Sequence, residues 1–260
     1  MALFEISFYS HTLGMSMNMN VLLPQKPISD KRKIPVLYLL HGMSDDHSVW
    51  LRQTSIERYV SEYDLAIIMP TTHLGWYTDM VHGNNYWTFI SKELPDICHS
   101  FFPQLSQARE DNFAAGLSMG GYGALKLGLA KPEKFSAVAS LSGALDVRAI
   151  CREFQHTEEG SFWFNIFGDA DDVQGSDNDL LALAETVSNS NQPKPKVYIW
   201  CGTEDFLYDQ NITMKNHLSR LNFDLTYKES PGDHQWKYWD EMIQEVLNWL
   251  AVSKMITSPK

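Results

Sequence analysis

The segment Gly116-Leu117-Ser118-Met119-Gly120-Gly121-Tyr122-Gly123 constrains the fold more than any other part of the chain. It lies between an apolar run over residues 112–117 and a helix-compatible run over residues 124–130. A G-x-S-x-G pattern in that setting marks a strand turning so sharply into a helix that the serine adopts a strained backbone. The glycines at 116 and 120 leave room for the close approach. Such a turn lifts the Ser118 hydroxyl above a sheet edge and aims the first amides of the next helix toward it, where negative charge on oxygen would be stabilised. A serine so placed points to acyl transfer. The competing reading, a glycine-rich turn with an incidental serine, loses ground because the chain also supplies an acid and a histidine downstream.

The 260 residues fit one α/β domain spanning 1–260, and no stretch reads as a linker between two cores. Hydrophobic residues at 44% and aromatics at 12% are enough to bury a sizeable core, which excludes a disordered chain. With a net charge of −11, the densest basic run being Lys31-Arg32-Lys33, nucleic acid is not an expected partner. No apolar run is long enough to span a bilayer. The N-terminus Met1-Ala2-Leu3-Phe4-Glu5-Ile6 lacks the features of a secretory signal. Three cysteines, Cys98, Cys151 and Cys201, show no paired metal spacing and suit reduced thiols. Together these predict a cytoplasmic protein.

Residues 6–10 and Met15–Leu23 read as an antiparallel hairpin, and residues 35–40 and 65–69 as buried parallel strands. Leu51, Ile56, Tyr59, Val60 and Tyr63 recur at helical spacing, so residues 48–63 are expected as a crossover helix. Another helix is expected over 86–101, kinked or broken at Pro95. Further strands are expected at 113–117, 135–141, 197–201 and 225–229, with a helix over 208–221. The result is a mostly parallel, doubly wound sheet with helices on both faces. Trp239, Ile243, Val246 and Leu250 mark one face of a C-terminal helix that packs on the sheet. Residues 143–195 read as an irregular insertion flanking the active site. Its acidic run Asp169-Ala170-Asp171-Asp172 is a solvated loop, because an EF-hand starting at Asp169 would need glutamate where Leu180 stands.

A serine nucleophile needs a histidine base and a carboxylate that fixes the histidine tautomer. Three histidines follow Ser118: His156 in the insertion, His217 inside a helix, and His234 in the turn between the last strand and the last helix. His234 is the one placed to reach Ser118. Glu204, Asp205 and Asp209 follow the strand ending near Cys201, and their positions leave all three open as the acid. The chain order of serine, acid and histidine is that of α/β-hydrolases. Oxyanion donors are expected from the amide of Met119 and, in the loop His41-Gly42-Met43-Ser44, from that of Met43, with Gly42 permitting the backbone path on the substrate side. His41 is read as shaping that loop.

The chain resembles the esterase D-like branch of the α/β-hydrolases, and within it the tributyrin esterases of Gram-positive bacteria. The resemblance covers nearly the whole length. It is carried by Tyr38-Leu39-Leu40-His41-Gly42-Met43-Ser44, Gly75-Trp76-Tyr77-Thr78-Asp79, the Gly116 to Gly123 segment, Trp200-Cys201-Gly202, Asp205-Phe206-Leu207-Tyr208 and His234-Gln235-Trp236-Lys237-Tyr238-Trp239. It implies an α/β-hydrolase fold and a serine carboxylesterase acting on short-chain acyl esters, with Ser118, Asp205 and His234 as catalytic residues and no cofactor or metal. It further implies that Trp76, Tyr77 and Trp236 border the substrate cleft beside Gly42, and that the chain self-associates as a homo-oligomer. S-formylglutathione hydrolases of the same branch have histidines where Leu117 and Tyr122 stand here, so a glutathione thioesterase is the second reading. Mycolyl transferases share the architecture but are exported. A non-catalytic binding module on the same fold is the alternative from another class.

Overall fold

A computed structural model of the protein describes residues 1–25 and 32–256, so Lys31 of the basic run lies outside the described residues. Eight strands form one sheet: β1 (Ala2–Ser10), β2 (Met15–Leu23), β3 (Val36–Leu40), β4 (Ala66–Pro70), β5 (Asn112–Leu117), β6 (Ala137–Leu141), β7 (Lys196–Gly202) and β8 (Leu225–Ser230). Their order is β1-β2-β4-β3-β5-β6-β7-β8. The β1 and β2 hairpin joins antiparallel to β4, and every pairing from β4 to β8 is parallel. The central strands β3, β4, β5 and β6 are buried along their whole length, as their continuous apolar runs require when helices cover both faces. Edge strand β8 instead exposes Lys228 and Glu229, which blunt it against further pairing.

Among the described residues the α-helices are α1 (Val49–Gln53), α2 (Ile56–Val60), α3 (Tyr86–Thr88), α4 (Leu94–Phe101), α5 (Met119–Ala130), α6 (Val147–Phe154), α7 (Gly160–Phe167), α8 (Ala170–Val173), α9 (Leu180–Ser188), α10 (Tyr208–Arg220) and α11 (Trp236–Val252). The two-residue period of the strands divides the core. Val36, Tyr38 and Leu40 face a cluster with α4, α5, α7, α9 and α10. Leu37 and Leu39 face one with α1, α2 and α11. All four predicted contact residues of α11, Trp239, Ile243, Val246 and Leu250, are buried in the second cluster.

Three sequence expectations are corrected. The crossover over 48–63 is two short helices, because Thr54 leaves helical geometry at φ −135° and its hydroxyl bonds both the Trp50 carbonyl and the Ile56 amide. The 86–101 helix is continuous, but Phe89–Glu93 is a π-helical turn immediately before Pro95, widening the spiral where proline lacks an amide and would crowd the carbonyl four residues back. Residues 143–195 are not irregular: they hold four helices, two of them started by side-chain caps. Asp146 accepts from the Ala149 amide, and Asp179 from those of Leu181 and Ala182. Within this region Asp169-Ala170-Asp171-Asp172 opens the short α8 rather than a loop, and Asp171 pairs with Arg152 at 2.9 Å.

Among the described residues no helix is long and apolar enough to cross a membrane. Truncation of a fully buried α11 side chain should be felt globally. Ile243→Ala is expected to lower unfolding free energy by about 2–5 kcal/mol. Gln244→Ala on the exposed side should stay within about 0.5 kcal/mol, both read by urea denaturation.

Candidate active site

The parallel register sets Leu40 beside Gly116, Gly116 beside Ser140, Leu141 beside Trp200 and Gly202 beside Ser230. The loops leaving β3, β5, β6, β7 and β8 therefore gather at one end of the sheet, the carboxyl ends of the strands where open α/β sheets form their crevices. Ser118 is the single residue between β5 and α5, with φ 52° and ψ −119°. A side chain at Gly116 would meet the Gly120 carbonyl at 2.4 Å, and one at Gly120 would meet the Leu40 oxygen at 2.5 Å, so only glycine permits this turn. The Ser118 amide donates to the Leu141 oxygen at 3.0 Å and its carbonyl accepts from Tyr122 and Ala144. The backbone of Ser118 is thereby fully engaged. The next amide, that of Met119, is the first of α5 and has no acceptor within the helix.

Asp205 follows β7 and is buried. Its Oδ1 accepts from the Leu207 amide at 2.9 Å, and its Oδ2 lies 2.8 Å from His234 Nδ1. Burial alone would raise this carboxyl, but the hydrogen bonds from His234 and Leu207 hold it below its ordinary value, with a further contribution from the Ser142 hydroxyl. A carboxylate there can only accept, so Nδ1 carries the proton and Nε2 is left as the acceptor. Of the three carboxylates left open by position, Asp205 alone reaches His234. Glu204 bonds the Gly232 amide and braces the turn that carries His234, while Asp209 is exposed in the first turn of α10. His156 is exposed, and His217 Nε2 meets the Leu181 carbonyl at 3.0 Å. Among the described residues the Ser118 hydroxyl makes no hydrogen bond.

Gly42 sits against the turn. A Cβ there would be 3.7 Å from Ser118 Cβ and would strike the Leu117 side chain at 2.6 Å. Met43 beside it is exposed. The loop is anchored by His41, whose Nε2 accepts from the Thr72 amide at 2.9 Å, leaving Nδ1 to donate to the Gly42 carbonyl at 2.7 Å. Burial pushes the His41 imidazole down to about 4, against the opposing pull of the Gly42 carbonyl, so it is neutral and structural.

Two of the three aromatic residues expected at the cleft, Trp76 and Tyr77, are buried instead. Tyr77 is fully buried, with its hydroxyl donating to the His41 carbonyl at 2.8 Å, so it supports the loop from beneath rather than lining a cleft. Trp76 is packed among Tyr122, Trp163 and Phe167. Trp236 is half-buried, edge-on to Trp50 and Trp239. Sequence reasoning missed Phe206, an exposed ring 4.6 Å from the His234 ring, and Ser142, a buried residue at φ 48° whose hydroxyl accepts from Trp239 Nε1. Phe206 could have been found from its place beside Asp205. Nothing in the local pattern marks Ser142.

The family model described as "Putative esterase" matches residues 10–250. An acetyl esterase of Caldicellulosiruptor saccharolyticus is 31% identical over 264 residues, covering 96% of this chain and 98% of the relative. Among solved structures, the fluorophosphonate-binding serine hydrolase FphF of Staphylococcus aureus superposes with a TM-score of 0.87 at 35% identity, covering 96% of this chain and 98% of that one. The S-formylglutathione hydrolase FrmB of Staphylococcus aureus does so with a TM-score of 0.85, the same identity and the same coverage.

The sealed His41 has a measurable consequence. A histidine whose folded value lies near 4 binds fewer protons in the native than in the unfolded state between that value and its ordinary 6.5. Its contribution to stability is therefore complete above about 6.5 and is lost as pH falls toward 4. Nitrogen NMR should show the His41 ring neutral and protonated on Nδ1 at pH 5.5, and urea unfolding should show the matching loss of stability across that window.

Proposed function

The chain belongs to the esterase family whose model it matches over residues 10–250, and on that basis we propose that it is a serine carboxylesterase cleaving short-chain acyl esters of the tributyrin, acetyl or aryl type. The observation that carries this reading is the buried Asp205 held 2.8 Å from His234 at the same sheet end as the strained Ser118. In this reading His234 Nε2 takes the Ser118 proton while Oγ attacks the ester carbonyl. The amides of Met43 and Met119 receive the charge that develops on the carbonyl oxygen, and Asp205 holds the imidazolium. Collapse of the tetrahedral intermediate expels the alcohol with the proton from His234. Water activated by the same nitrogen then releases the acid from Ser118.

The acetyl esterase relative supports a short acyl group, and the exposed Phe206 ring beside His234 offers an apolar face to one side of the ester. The three buried free cysteines support residence in a reducing compartment such as the cytoplasm.

A second reading, hydrolysis of S-formylglutathione, is favoured by the similarity to FrmB. The substitution of histidine by Tyr122 weighs less against it than the sequence suggested. Tyr122 is fully buried, and its hydroxyl bonds the Asn178 carbonyl at 3.1 Å beneath the 143–195 region.

Ser118→Ala should lower kcat/KM on p-nitrophenyl acetate by ~10⁴-fold or more without loss of fold. Wild-type-like turnover in that variant would end the assignment. Asp205→Asn should cost on the order of 10³-fold or more, and Glu204→Gln less than about tenfold, a contrast that separates orienting acid from loop brace. Kinetics on p-nitrophenyl esters of increasing acyl length, run beside S-formylglutathione with Ser118→Ala as the blank, decide between the two readings. Preference for the thioester by an order of magnitude or more in kcat/KM would select the second.

A further inference from the structure

Lys126 lies two turns along α5 from Ser118 and is 1% exposed, an unusual position for an ammonium group. Its Nζ donates to the Tyr77 carbonyl at 3.2 Å, to Thr78 Oγ1 at 3.1 Å and to Asn178 Oδ1 at 2.6 Å. Three oxygen acceptors match the three donors of an ammonium. The Trp87 ring lies 4.7 Å from the same nitrogen. Burial pulls Lys126 down to about 7, opposed by the carboxylates of Asp79 and Asp177, so the site works against the charge that its hydrogen bonds require.

The partners of Lys126 explain why such a residue is worth keeping. Trp76 and Tyr77 are consecutive non-glycine residues at φ 47° and 49°, a conformation that side chains disfavour and that persists only where the surroundings enforce it. Two groups on α5 enforce it. Lys126 holds the Tyr77 carbonyl, and Gly123, one turn earlier, leaves space for the Tyr77 ring, since a Cβ there would lie 2.5 Å from it. At its other end Tyr77 donates its hydroxyl to the His41 carbonyl. That carbonyl belongs to the peptide joining His41 to Gly42, one residue before the amide assigned above to the oxyanion. One continuous set of contacts therefore runs from the helix that carries the nucleophile, through a strained dipeptide, to the loop facing that nucleophile.

We propose that Lys126 is a positioning residue for oxyanion stabilisation: it fixes Tyr77 so that the Tyr77 hydroxyl holds the His41-Gly42 peptide, and with it the Met43 amide, at its distance from Ser118. The proposal rests on the assignment of Met43 as an oxyanion donor. Lys126 touches no reacting atom. It acts through Tyr77, and its loss should weaken binding of the tetrahedral species while leaving binding of the planar ester unchanged.

The experiment compares wild type with Lys126→Met, Tyr77→Phe and the double variant, each verified as folded by near-ultraviolet circular dichroism. The readouts are kcat and KM on p-nitrophenyl acetate and the inhibition constant of an alkylboronic acid, which forms a tetrahedral adduct on serine. In Lys126→Met, kcat should fall tenfold or more with KM changed less than threefold, and boronate affinity should fall by the same factor as kcat/KM. Tyr77→Phe should show the same pattern, and the double variant should be no worse than the poorer single one, as expected of two groups acting along one path. Multiplicative losses in the double variant, a rise in KM with kcat unchanged, or undiminished boronate affinity would each overturn the proposal. Should Lys126→Met fail to fold, Tyr77→Phe carries the test alone, and an unchanged kcat there overturns it. Failure of the underlying esterase reading is distinguishable, because Ser118→Ala would then retain turnover.

Discussion

The rest of the site depends on how one residue is held between β5 and α5. Ser118 sits at a positive φ that a residue with a side chain avoids, and three backbone hydrogen bonds, to Leu141, Tyr122 and Ala144, keep it there. Those bonds reach β6, the loop after β6 and the helix that follows the turn, so the strain is spread over the centre of the sheet. The contact is so close that Gly116 and Gly120 have no alternatives. Once this turn is formed, the parallel register leaves little freedom in where the remaining loops arrive, because each strand ends beside its neighbour.

Two histidines near the turn show how the same ring is used in opposite ways. Both have Nδ1 bound to an oxygen, His41 to the Gly42 carbonyl and His234 to the Asp205 carboxylate. His41 also has its second nitrogen capped, by the Thr72 amide, and is sealed from water. Among the described residues His234 Nε2 has no hydrogen-bond partner, and its ring is partly exposed between Phe206 and Trp239. The difference between a sealed strut and a ring with a nitrogen open to proton exchange lies in one hydrogen bond and in access to solvent.

The fold was largely legible in the sequence because its strands are continuous apolar runs and the glycine spacing at the turn admits few other conformations. Asp205 could not be separated from Glu204 and Asp209 by position, since neighbours on a turn point in different directions and only the packed loop reveals which carboxylate meets His234. The helices of residues 143–195 were hard to read because none is longer than nine residues and glycine and polar residues fill the turns between them. The caps Asp146 and Asp179 were the available local signals. Lys126, and the use made of Tyr77, which the sequence placed at the cleft, were out of reach for another reason. Their importance comes from contacts across 49 positions of chain, between a loop and a helix whose juxtaposition no local pattern encodes.

Helix α5 is enclosed on every side, with eleven of its twelve residues buried, so a change anywhere along it must be accommodated by a strand, a loop or another helix. Such an element cannot be a source of novelty. Substitutions are absorbed more readily in segments that retain a free face, such as the loop after β7 with its exposed Phe206 and the helices between residues 143 and 195. The chain thus divides into a part where a side chain can change alone and a part where every change must move its neighbours.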